Sequence, residues 1–96
     1  MPSTTYPFLF DVELGLVCAH PDLDRLHSLA ERLYREGRLQ QAEELFLQAL
    51  WHPELMSCGE LRVSVLEHLG LIATRNKLYE DAVQFFESAL QAIEPA

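Results

Sequence analysis

The side chains of this sequence best suited to chemistry are four histidines, His20, His27, His52 and His68, and two cysteines, Cys18 and Cys58. Soft metal ions take such ligands in clusters, usually spaced CxxC or HxxxH, so that one turn or helix face presents two at once. Neither spacing occurs, and the nearest approach is Cys18-x-His20 beside Pro21. No metal and no cofactor are therefore expected. A cysteine nucleophile needs a base and an orienting third group. Cys58 has His52 and His68 nearby in sequence, but nothing beside them resembles an oxyanion hole or a third partner. The four glycines are isolated, so they form no phosphate-cradling loop. The carboxylate pairs Glu43-Glu44 and Glu80-Asp81 fall in the first turns of expected helices, where they complement the helix dipole. No catalytic residue is assigned, and the chain reads as non-enzymatic.

Composition narrows the partners. Fifteen acidic and seven basic side chains give a net charge of −8 over 96 residues. That balance argues against nucleic acid and against anionic membranes, and it favours a neutral or basic protein partner. Residues 1–7 carry no Lys or Arg, and the apolar run 8–19 contains Asp11 and Glu13, so neither a signal peptide nor a membrane span is expected. The chain reads as soluble and intracellular, nuclear or cytoplasmic. With 49% hydrophobic residues it can form one small core, and its cysteines read as two reduced thiols, since such a helical domain needs no staple.

The elements that position these residues repeat. Leu26-x2-Leu29-Ala30-x2-Leu33 followed by Ala42-x3-Phe46-x2-Ala49 returns as Leu66-x2-Leu69-Gly70-x2-Ala73 followed by Ala82-x3-Phe86-x2-Ala89, each element displaced by 40 residues. An apolar helix over about 8–19 precedes the two copies. The following helices are expected at about 22–36, 39–51, 60–75 and 78–93, about five in all. Asp22 and the Ser57-x-x-Glu60 box supply caps, and Gly37 and Asn76 make the hairpin turns. The domain divides into a lead-in and apolar helix (1–21), a first hairpin (22–52), an inserted connection (53–59) and a second hairpin (60–96). Small residues mark close helix crossings, Ala30 with Ala42 and Gly70 with Ala82. Leu33, Phe46 and Leu50, then Leu69, Phe86 and Leu90, fill the layer between hairpins. In the connection, the apolar triplet Trp51, Leu55 and Met56 is expected to pack inward.

This pattern resembles the tetratricopeptide repeat, whose small-large-small signature matches Ala42, Phe46 and Ala49 and again Ala82, Phe86 and Ala89. The first-helix aromatic is replaced by Leu26 and Leu66, and the late tyrosine by Leu33 and Ala73. The period is 40 residues rather than about 34. The resemblance implies an all-α fold of two helical hairpins in a short right-handed stack, with a concave protein-binding groove. Groove candidates are His27, Glu31, Tyr34, Glu67, Leu71 and Arg75. Glu31 and Glu67 would repel a peptide's C-terminal carboxylate, so a carboxylate clamp is not expected.

Two hairpins make a short stack, because about three repeats are usually needed before burial between neighbours outweighs ordering entropy. Apolar surface must remain, and a second copy of the chain is its simplest cover, with Phe8, Phe10, Leu14 and Val17 as self-association candidates. The expected function is a protein-interaction scaffold, a homodimer that also contacts other subunits of a larger complex. The alternative is a small acidic chaperone that holds an aggregation-prone partner.

Overall fold

A computed structural model describes residues 20–93. Among them the fold is all-α, with helices α1 (Pro21–Arg35), α2 (Leu39–Leu50), α3 (Gly59–Arg75) and α4 (Tyr79–Ile93), and one 3-10 turn over Leu55–Ser57. The apolar helix expected over 8–19 lies outside the described residues. Helices α1 and α2 form one hairpin and α3 and α4 the other. Helix α3 also rests on α2, which joins the two hairpins.

Each hairpin closes where the sequence is smallest. Ala30, Ala42 and Ala49 are fully buried, and Gly70, Ala82 and Ala89 hold the corresponding places in the second copy. A Cβ built on Gly70 would stand 2.7 Å from the Phe86 ring, so glycine there permits the close approach of α4. The core then gathers Leu23, Phe46, Leu55, Val65, Leu69 and Ile72, with Phe46 at its centre.

The two hairpin turns are built alike, but not where Asn76 was expected to act. In the first, Gly37 adopts φ 82°, and Arg38 N–H donates to Leu33 O at 2.9 Å. In the second, the left-handed residue is Lys77, φ 62°, and Leu78 N–H donates to Ala73 O at 2.8 Å. Asn76 is the preceding cap residue, at φ −87° and ψ 5°. The offset of 40 therefore pairs Gly37 with Lys77, and the register of the turn overrides the local preference of Asn for left-handed backbone.

Both expected caps differ as well. Helix α1 starts at Pro21 with His20 as its cap, which leaves Asp22 inside the first turn. Helix α3 starts at Gly59 with Cys58 as its cap and no side-chain cap bond. The Ser57 hydroxyl instead donates to Glu54 O at 2.8 Å, a local turn bond that competes with capping.

The connection is ordered, yet only one member of its apolar triplet faces the core. Leu55 is 2% exposed, whereas Trp51 and Met56 are 78% and 69% exposed. A 3-10 turn rotates about a third of a circle per residue, so burying Leu55 turns its neighbour Met56 outward. The turn is held by Glu54 N–H donating to His52 Nδ1 at 3.1 Å, and by His20 Nε2 lying 3.4 Å from Glu54 Oε1. Cys58 is disulfide-bonded, contrary to the expectation of a reduced thiol, and Cys18 lies outside the described residues. Thiol pairing depends on where the backbone brings two sulfurs, which sequence spacing alone does not determine.

Candidate interaction surface

Where α3 crosses the first hairpin it forms a seam of polar and aromatic side chains. Ser64 Oγ lies 2.7 Å from His27 Nε2, linking α3 to α1. His68 Nδ1 donates to Ser64 O at 2.8 Å, one helical turn back. The His68 ring stacks on Phe46 with centroids 4.7 Å apart and meets Tyr34 edge-on at 5.0 Å. His27 Nδ1 stands 4.0 Å from Glu31 Oε1. The neutral tautomer that fits accepts the Ser64 hydroxyl at Nε2 and turns its Nδ1–H toward Glu31.

Burial holds the His27 imidazole below the usual histidine range, since desolvation disfavours the cation. The Glu31 carboxylate opposes that shift, His68 adds to it, and Asp24 opposes it more weakly. Burial also raises the Asp24 carboxyl, against the pull of His27.

This seam divides the six groove candidates. His27, Glu31 and Tyr34 lie half-buried beside α3, whereas Glu67, Leu71 and Arg75 are exposed on α3 itself. Ser64 and His68 complete the seam although the sequence reading gave them no role as partners of His27 and Tyr34. The self-association candidates Phe8, Phe10, Leu14 and Val17 lie outside the described residues.

The open surface is on the second hairpin. Tyr79, Val83, Phe86, Leu90 and Ile93 recur at i, i+4, i+7, i+11 and i+14 and line one stripe of α4. Val83, Leu90 and Ile93 are 53%, 58% and 59% exposed. Leu90, expected in the layer between hairpins, thus faces solvent. Its counterpart Leu50 packs against the core, because the first hairpin has α3 laid across it and the second has no such helix among the described residues. The same contrast separates Phe46, fully buried, from Phe86, half-buried. Comparing the copies residue by residue would have marked this face. Glu31, Arg38 and Glu43 of the first become Leu71, Leu78 and Val83 of the second, and all three replacements are exposed.

A smaller cleft opens at the join, where Trp51, Leu55, Met56, Leu66 and Phe85 surround a space of about 340 Å³. Among the described residues no three His, Cys, Asp or Glu side chains come together as a metal-binding group, and no helix is long and apolar enough to cross a membrane.

Residues 23–50 match the family model of the tetratricopeptide repeat. The matched stretch is the α1–α2 hairpin almost end to end, and it supports the tetratricopeptide family. Such repeats are typically non-catalytic modules that bind other proteins. No curated protein and no solved structure matches the chain.

Proposed function

We propose that this chain is a non-enzymatic interaction scaffold that self-associates within a larger assembly. The observation that supports the scaffold part of the reading is the set of exposed apolar side chains on α3 and α4, a surface of the kind that meets other proteins. Self-association is assigned to Phe8, Phe10, Leu14 and Val17. The support is their sequence pattern: read as a helix, the run 8–19 would carry apolar residues on more faces than one hairpin can bury. The setting of the scaffold is read from short segments: PELMS at 53–57, KLYEDAV at 77–83 and SAL at 88–90. These resemble the N-terminal repeat region of the tetratricopeptide scaffold subunit numbered seven of the anaphase-promoting complex. On that resemblance the assembly is a cell-cycle ubiquitin ligase and the partners are its other subunits.

The acidic composition favours one competing reading, a small chaperone that holds an aggregation-prone partner. Expression of the full-length product alone separates the two. A scaffold accumulates as a soluble oligomer, whereas a chaperone of this kind is degraded or aggregates until its partner is co-expressed.

A further inference from the structure

The first hairpin shows what its open counterpart is shaped to receive. Helix α3 rests on α2 and reaches α1 through Ser64 and His27. Val65, Leu69 and Ile72, spaced i, i+4 and i+7, are buried in the shared core, and the His68 ring stacks on the fully buried Phe46. Displacing the residues that receive α3, His27, Tyr34 and Phe46, by 40 marks the equivalent seat on α3 and α4 at Glu67, Thr74 and Phe86, with Leu71, Val83 and Leu90 exposed around it. Around that seat the acids move from its centre to its rim, since Glu31 and Glu43 give way to Leu71 and Val83. His27 becomes Glu67, Gln40 becomes Glu80 and Leu47 becomes Glu87. Glu80 and Glu87 stand two turns apart on the edge of the α4 stripe, and Glu67 is exposed beside Leu71 on α3. The only basic residues near this face, Arg75 and Lys77, sit at the hairpin turn.

We infer that the open α3–α4 face binds an amphipathic helix of a partner protein, one whose apolar stripe covers Phe86, Val83 and Leu90 and whose flanks carry Lys or Arg. The inference rests on the scaffold reading and gives this face of the scaffold a partner of defined chemistry. Apolar burial drives the contact, and the acidic rim selects for cationic flanks and against anionic ones. A second copy of this chain fits the face less well. Antiparallel pairing of two α4 stripes about a twofold axis near Phe86 would bring Glu87 close to its own copy. By analogy with α3 on the first hairpin, the bound helix runs antiparallel to α4. Its C-terminal end then lies near Arg75 and Lys77, which complement the negative end of its dipole.

Two labelled helical peptides test this on the full chain by fluorescence anisotropy. Both carry Leu at i, i+4, i+7 and i+11. One has Lys at the flanking positions and the other has Glu. The Lys peptide is expected to bind about tenfold more tightly than the Glu peptide. A Glu67→Lys/Glu87→Lys chain should reverse the preference, and Val83→Glu/Leu90→Glu should abolish binding of both. All four sites are exposed, and the helical circular-dichroism signal of each variant confirms its fold. Equal affinity for the two peptides, or no binding of either, overturns the inference. So does a parent dimer that Val83→Glu/Leu90→Glu converts to monomer, since that assigns the face to a second copy. A chain that still self-associates while binding neither peptide leaves the scaffold reading standing and removes only this inference.

Discussion

Lys77 shows how a single residue reports the register of the whole repeat. It is held at φ 62°, where a side chain costs roughly 1 kcal/mol, because its position in the hairpin is the one Gly37 fills in the first copy. Lys77→Gly is therefore expected to raise stability by up to about 1 kcal/mol, less the entropy that glycine loses on folding, as measured by urea denaturation. Gly37→Lys should lower stability by a similar amount. His27 carries the clearest pH dependence. Its folded-state affinity for protons is depressed by burial from the ordinary value of 6.5, so just below that value the unfolded chain binds more protons than the folded one. Its contribution to stability is complete above the ordinary value and declines as pH falls beneath it. Melting temperatures should drop between about pH 7 and pH 5.5, and a His27→Gln chain should show a shallower drop. Asp24 has the opposite sign in a lower window. Its raised folded value makes stability fall as pH climbs through the carboxylate range, so the two groups are separable by pH.

At the scale of the helix, the close crossings carry the architecture. Ala42 is fully buried and Ala82 nearly so, each against the first helix of its hairpin. Ala42→Leu or Ala82→Leu should cost roughly 1–3 kcal/mol by overpacking, and Ala42→Leu should be the more costly because α3 leaves its hairpin less room to relax. Mutants that melt within about a degree of the parent would contradict the crossing geometry. The burial of the small residues was legible in the sequence because they recur at fixed spacing, although the close neighbour of Gly70 is Phe86 rather than the expected Ala82, and the four helix spans were legible to within a residue or two. The caps were less legible. Ser57-x-x-Glu60 has the letters of a capping box, but Ser57 bonds back into its own turn and the helix begins two residues later. Trp51 and Met56 were misplaced for a related reason, since hydrophobicity predicts burial only when the local geometry aims the side chain inward. The seam of His27, Ser64, His68 and Tyr34 was half-visible. His27 and Tyr34 stood among the groove candidates, but pairing across 37 residues depends on how the hairpins stack.

For the molecule as a whole, the two copies are alike in fold and unlike in coverage. One hairpin has its apolar face sealed by the next, and the other presents that face with additional apolar residues and an acidic rim. Of the proposed properties, self-association is the one that mass alone decides. Multi-angle light scattering on the full 11.0 kDa chain at tens of micromolar is the most direct test. The account predicts twice the chain mass for the parent, and for a Val83→Glu/Leu90→Glu variant as well. It predicts a single chain mass for Phe10→Glu/Leu14→Glu. A parent that scatters as one chain across that range contradicts self-association, and a Phe10→Glu/Leu14→Glu variant that remains dimeric contradicts its assignment to that segment.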